Sequence, residues 1–237
     1  IHRHPLNGRN FEYYSEDPYL SGMMAVASAG GIKDGGAWGT IKHFALNGQE
    51  AHRFKIDAVC SERAIREIYL KSFEMAVKEK TVMALMTSYN PINGHWAASN
   101  YDLCTTVLRG EWGYEGIVMT DWRAKMNDVV EGGEESNQDT RDMVRSQNDV
   151  YMIVNNNGAE VNLNSDNTES SVEAGTLTVG ELQRAAMNSC NFILNAPVIE
   201  RELVDTDVAK YYPAVPVDKA EYQQFNLSDD NKVMFDC

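Results

Sequence analysis

Short, mostly apolar runs recur at Trp38–Phe44, Val82–Tyr89, Gly116–Asp121 and Asp149–Val154, and each reads as a strand. Helix-like segments fill the spaces between them, so the pattern predicts parallel strands joined by crossover helices. After Ser61, the residues Ile65, Ile68, Tyr69, Phe73 and Ala76 fall on one helical face, while Glu67, Lys71 and Lys78 turn elsewhere. That helix is expected to pack on the sheet. A second helix opens at Thr178, where Glu181 completes a capping-box pattern, runs through Leu182, Ala185, Ala186, Ser189 and Ile193, and closes at Asn195-Ala-Pro197. Between the last strand and that helix, Asn155–Gly158 and Asn162–Ser171 are rich in Asn and Ser and read as rim loop. From Val198 the periodicity fades, and Tyr211, Tyr212, Pro213, Pro216, Tyr222 and Phe225 share no face, which predicts an irregular tail or linker over 198–237.

Length limits this picture. The 237 residues can bury a sizeable α/β core, yet four strands are few for a closed eight-stranded barrel, which takes about 250 residues with its helices. Either the sheet is open or part of the protein lies elsewhere. With 21 basic against 35 acidic residues the net charge is −14, which repels phosphate backbones and argues against a nucleic-acid partner. A neutral small ligand suits it better. No apolar stretch approaches the roughly 20 residues of a membrane helix, so no membrane partner is expected. Cys60, Cys104, Cys190 and Cys237 are widely spaced with no Cys-x-x-Cys pair and read as mostly buried thiols, Cys237 being the exposed one.

Candidate chemistry collects at strand ends. Asp121 closes the run Gly116–Asp121, and Lys42-His43 stands near the end of the first run, at the rim where parallel α/β sheets keep their functional groups. Taken singly, Asp121 fits a helix N-cap or a strand-end carboxylate, His43 a satisfied buried imidazole, Arg9 an ion-pair partner of Glu12 or Glu16, and Met86 and Tyr89 strand core. Trp38, Trp96 and Trp112 read as packing. Gly30-Gly31 and Gly35-Gly36 do not form a phosphate-binding turn, and no Gly-x-Ser-x-Gly elbow is present. The acidic run Glu131–Glu135 fits no calcium loop and reads as solvated surface. No cofactor and no metal are expected.

Four segments, in order, carry a resemblance: Gly8-Arg-Asn-Phe-Glu-Tyr-Tyr-Ser-Glu-Asp-Pro-Tyr-Leu20, Lys42-His-Phe-Ala-Leu-Asn-Gly-Gln-Glu50, Met86-Thr-Ser-Tyr-Asn-Pro-Ile-Asn-Gly94 and Val118-Met-Thr-Asp-Trp122. Together they resemble glycoside hydrolase family 3 of the β-glucosidase type. The resemblance covers residues 1–197 and implies a partial TIM-like (β/α)-barrel, its second half, followed by the irregular tail. It implies a retaining hydrolase that releases glucose from non-reducing ends of β-glucosides or short β-glucans. By position, Asp121 matches the family's nucleophile, Arg9, Lys42 and His43 its hydroxyl-binding residues, Met86 and Tyr89 subsite-lining residues, and Trp122 a platform beside the sugar. The segment Ala45–Glu50 fits the glucosidase and xylosidase branch rather than the N-acetylglucosaminidase branch, so a β-xylosidase remains an alternative.

The family's acid/base is usually a Glu on a separate sandwich domain, and nothing in this chain resembles one. The first barrel half is likewise missing upstream of Ile1, so the remaining part of the enzyme is an expected partner, along with the oligosaccharide itself. Past Pro197 the sequence does not resemble the usual linker to the sandwich domain, which leaves open the order with that domain before the barrel. A nucleophilic carboxylate must stay charged, and a neighbouring cation such as Lys42 would favour that state while also binding sugar. Without an acid in the chain, a non-catalytic carbohydrate-binding or structural fragment is the rival reading.

Overall fold

The computed structural model describes residues 1–153 and 161–199. A single 3-10 turn (Asn10–Glu12) leads into α1 (Pro18–Asp34), which Asp17 starts by accepting the Leu20 amide at 2.7 Å, with Pro18 at the first helical position. Strand β1 (Gly39–Phe44) follows, then a helical layer of α2 (Glu62–Ala64), a π-helical stretch (Ile65–Tyr69) and α3 (Lys71–Lys78). The helix predicted after Ser61 is this layer, and the Ser61 hydroxyl caps it by accepting the Ala64 amide at 3.4 Å. Strand β2 (Val82–Thr87) leads to a small hairpin, β3 (Pro91–Ile92) and β4 (His95–Trp96), and then to a π-helical segment (Asp102–Glu111). Strand β5 (Ile117–Met119), the hairpin β6 (Met126–Asp128) and β7 (Gly132–Ser136), and helices α4 (Thr140–Arg145), α5 (Thr168–Glu173) and α6 (Val179–Leu194) complete the described chain.

Strands β1, β2 and β5 form one parallel sheet in the order β1-β2-β5, with Ile41 opposite Leu85 and Leu85 opposite Val118. The class is α/β, and among the described residues the sheet is open. Phe44, Leu70, Leu85, Leu108 and Val118 are fully buried between sheet and helices, and the Phe44 ring meets Phe73 and Trp112 edge-on at 5.1 and 6.1 Å. Gly116 admits β5 to this sheet. A Cβ there would collide with the Met83 carbonyl and the Tyr114 hydroxyl, so no larger residue fits.

Several expectations need correction. The fourth run is a single bridge, Met119 to Val150, rather than a strand, and Val154 lies outside the described residues. Backbone bonds do cross there, from the Thr120 amide to the Val150 carbonyl at 2.9 Å and from the Asp149 and Val150 amides to the Val118 carbonyl at 2.8 and 3.1 Å, and side chains add to them. The Val118 amide donates to Asp149 Oδ2 at 2.8 Å and the Met152 amide to Thr120 Oγ1 at 3.0 Å. The stretch Asn162–Ser171 is not all loop, because α5 begins at Thr168, whose amide donates to Asp166 Oδ1 at 3.0 Å. Asp and Asn side chains that suggest a loop here serve a helix start. The loop expected at Asn155–Gly158 and nearly all of the 198–237 tail lie outside the described residues. Among the described residues only Cys104 is a buried thiol, pushed up to about 12 by that burial, whereas Cys60 is half-buried and Cys190 is exposed on α6; Cys237 lies outside the described residues. Helix α6 buries Ala185 alone, so most of its surface faces away from the core. Glu131–Glu135 runs through the β6–β7 turn into β7, which is largely exposed, with Lys125 paired to Glu135 at 2.8 Å. Trp96 is buried and Trp112 packs on the core, while the Trp38 indole donates to the Asn195 carbonyl at 3.1 Å and ties the end of α6 to the start of β1. No described helix is long and apolar enough to cross a membrane.

Candidate active site

Parallel strands put all their carboxyl ends on one rim, and here β1 delivers Lys42 and His43, β2 is followed by Ser88 and Tyr89, and β5 by Thr120, Asp121 and Trp122. The segment around the 3-10 turn supplies Arg9, Glu12 and Tyr13 to the same place. Asp121 is 5% exposed. Its Oδ1 accepts the Trp122 amide at 2.7 Å, while Oδ2 accepts no hydrogen bond and faces His43 Nε2 at 3.4 Å. One oxygen is therefore occupied and the other is free.

His43 is buried on β1, with Nδ1 3.1 Å from the Tyr13 hydroxyl. Burial, and then the cations Arg9 and Lys42, push its pKa down to about 3, so the ring is neutral at ordinary pH. A neutral ring leaves the Asp121 charge uncancelled. Tyr89 is buried behind the carboxylate and donates its hydroxyl to the Trp122 carbonyl at 2.7 Å. Its own pKa is raised by burial and then by the Asp121 carboxylate, through its charge and its closeness to the hydroxyl, and because the hydroxyl's single proton goes to the Trp122 carbonyl, Asp121 Oδ2 gains no donor from it.

The cations are held by two acids that the sequence reading did not select as site residues. Glu12 accepts from Arg9 Nε and pairs with Lys42 Nζ at 2.9 Å. Burial alone would raise its pKa, but the hydrogen bonds from Arg9 and Lys42 prevail and hold it below the usual carboxylate range. Glu50 pairs with Arg53 at 2.8 Å, accepts the Asn47 amide at 3.0 Å, and stands 3.9 Å from Arg9 Nη1. Lys42 therefore answers to Glu12, and the ring facing Asp121 belongs to His43, not to the cation expected there. Arg9 does pair with Glu12, the ordinary role open to it from sequence, and it does so inside the site network.

Aromatic groups flank the rim. Trp122 is 47% exposed and Phe54 43%, and the Phe54 ring stands edge-on to Tyr89 at 4.6 Å with the Arg53 guanidinium over both rings. Met86 is half-buried near the end of β2, in register with Met119. The hollow that reaches Tyr13, Lys42 and His43 holds only about 20 Å³, room for little more than one water. Tyr13, Asn47 and Glu50 lie within the segments that carry the family resemblance but were given no role, and Phe54 lies outside them; the contacts of Tyr13 with His43 and of Phe54 with Tyr89 span about 30 residues of chain.

An open α/β sheet with a buried, half-free carboxylate and paired cations at its strand ends has the layout in which α/β domains place their polar functional groups. The chain belongs to glycosyl hydrolase family 3: the family model described as the glycosyl hydrolase family 3 N terminal domain matches residues 1–189. A β-glucosidase of Ruminococcus albus is 46% identical over 231 residues, covering 97% of this chain and 24% of that protein. A solved β-glucosidase from Paenibacillus barengoltzii is 66% identical with a TM-score of 0.82, covering 87% of this chain and 22% of that one. β-Glucosidase 3B from Thermotoga neapolitana, solved in complex with glucose, is 38% identical with a TM-score of 0.72, covering 89% and 28%. The chain thus spans about a quarter of the length of these relatives.

Proposed function

We propose that this chain is the second half of a (β/α)-barrel, spanning 1–197, in a retaining β-glucosidase, and that it carries the nucleophile and much of the glucose-binding rim. The observation that carries the reading is Asp121, buried at a strand end with Oδ1 fixed by the Trp122 amide and Oδ2 left without a donor. A fixed Oδ1 sets the plane of the carboxylate, and Oδ2 is the oxygen that attacks the anomeric carbon as the glycosidic C–O bond breaks. The leaving oxygen takes its proton from a carboxylic acid outside this chain, and water then releases the glucosyl group from Asp121 with that acid acting as base. Glu12 and Glu50 do not fill the acid's role, since each is held as a carboxylate partner of cations.

His43, Lys42 and Arg9 offer donors to the glucose hydroxyls, Met86 and Tyr89 line the subsite, and Trp122 offers its exposed face to the sugar's C–H surface. The named relatives favour β-glucosides as substrate, with the remaining polypeptide as partner for the acid and the other barrel strands. The test is the first-formed anomer from an aryl β-glucoside cleaved by the full-length polypeptide, read by proton NMR. β-Glucose appearing first agrees with a nucleophilic Asp121. α-Glucose appearing first removes it.

A further inference from the structure

We propose that Tyr13 is a positioning residue: its hydroxyl donates to His43 Nδ1 and so fixes the imidazole with its proton on Nε2, facing the free oxygen of Asp121. Asn47 Nδ2 lies 3.0 Å from Glu50 Oε1 and 3.3 Å from the Tyr13 hydroxyl oxygen. A carboxylate can only accept, so the amide nitrogen, not the amide oxygen, must point toward Glu50. That orientation makes Asn47 a donor to Tyr13 as well. With its oxygen already accepting from Asn47, the Tyr13 hydroxyl has its own proton left for His43 Nδ1 at 3.1 Å.

A neutral imidazole carries one proton, so an accepting Nδ1 requires a protonated Nε2. The far end of the ring selects the same tautomer. Nε2 faces Asp121 Oδ2 at 3.4 Å, where a bare nitrogen lone pair would oppose a carboxylate. The distance is longer than a formed N–H···O bond, which leaves the N–H available to a substrate hydroxyl beside the carboxylate. Glu50 is itself anchored: Arg53 pairs with it at 2.8 Å, and its backbone amide donates to the Asn7 carbonyl at 3.0 Å. The order of donors therefore runs from Asn47 through Tyr13 and His43 toward Asp121, set at its origin by the Glu50 carboxylate. Burial pushes the Tyr13 phenol up to about 12, which keeps it a donor throughout the ordinary pH range. Tyr13 is half-buried, its ring perpendicular to the imidazole with centroids 6.3 Å apart, so removing the hydroxyl alone leaves the ring packing in place.

This inference deepens the reading of Asp121 as nucleophile and rests on it only for its kinetic consequence. The test uses the full-length polypeptide labelled with 15N-histidine, with long-range proton–nitrogen spectra recorded at neutral pH and the His43 signals assigned by their loss in His43→Gln. The native protein is expected to show the His43 proton on Nε2. Tyr13→Phe is expected to shift it to Nδ1 or to a mixture, and to lower kcat on an aryl β-glucoside about tenfold with KM little changed. Asn47→Leu provides a second route, because loss of the amide donor frees the Tyr13 oxygen to accept from Nδ1 and should reproduce the tautomer change with Tyr13 intact. A native proton on Nδ1, or an unchanged tautomer in both variants, overturns the proposal. A tautomer that shifts as expected in a protein whose native form cleaves no glucoside supports the positioning role and sinks the glucosidase reading instead.

Discussion

Two buried aspartates sit about one strand apart and live under opposite conditions. Asp149 has a side chain with no exposure, and both of its oxygens are occupied: Oδ2 by Arg109 at 2.6 Å and the Val118 amide at 2.8 Å, Oδ1 by Asn188 at 2.8 Å. Asp121 is nearly as buried, yet its Oδ2 accepts nothing. A saturated carboxylate ties elements together, here the π-helical segment, β5 and α6. A carboxylate with one oxygen unmatched costs stability, because a buried polar atom without a partner loses its hydration for no return. Burial alone therefore does not separate these two acids; the donors around them do, and Asp142, which also keeps one oxygen without a donor, differs from Asp121 in being paired with Arg141 on the other.

That contrast is open to direct attack. The largest effect is expected at Asp121→Asn, which keeps shape and Oδ1 but removes the proposed nucleophile: kcat on an aryl β-glucoside should fall on the order of a thousandfold or more, with the unfolding midpoint preserved. A variant that keeps activity would place the chemistry elsewhere. Asp149→Ala should do the reverse, leaving Arg109 uncompensated and costing about 3–5 kcal/mol in denaturant unfolding, while the molecules that remain folded turn over at the native rate. Loss of turnover without loss of stability would undo the division of roles.

A third test reads the environment of the free oxygen through pH. The folded His43 pKa is lowered to about 3, below an ordinary value of 6.5, so between those values the unfolded chain binds the proton and the folded one does not. The stability this neutral ring allows is present above pH 6.5 and is lost as pH falls toward 3. The native protein should lose roughly 1.4 kcal/mol per pH unit more than His43→Gln in that window, measured by urea unfolding. Parallel curves for the two proteins would show that the ring titrates normally. The smallest effect is local: Thr178→Ala removes the reciprocal capping box with Glu181 and should cost about 1 kcal/mol of stability, with no change in kcat.

The same contrast explains what could be read from sequence. The helix at Thr178 was legible because its start is written within four residues, and α6 begins and ends where Glu181 and Asn195 predict. The β2 and β5 cores were legible because continuous apolar runs mark strands buried on both faces. The run at 149 misled because only Val150 forms a bridge to β5, and the side chains of Asp149 and Thr120 take up neighbouring amides, which no apolar pattern reports. At the rim, the residues carried by the family resemblance lie at or close to the strand ends or beside them, but the links between them were hidden. Lys42 finds Glu12, and His43 finds Tyr13, across 30 residues of chain. Such pairings depend on the fold bringing distant segments together, so neither spacing nor composition could assign Lys42 to Glu12 instead of Asp121.

The central claim is that Asp121 is the group that bonds to the sugar. Incubating the full-length polypeptide with a 2-deoxy-2-fluoro-β-glucoside bearing a dinitrophenyl leaving group tests it most directly, because that group departs without acid assistance and isolates the nucleophile. Peptide mapping by mass spectrometry should place the fluoroglucosyl label on Asp121. A label on another carboxylate, or inactivation of the folded enzyme with Asp121 unmodified, would contradict the account.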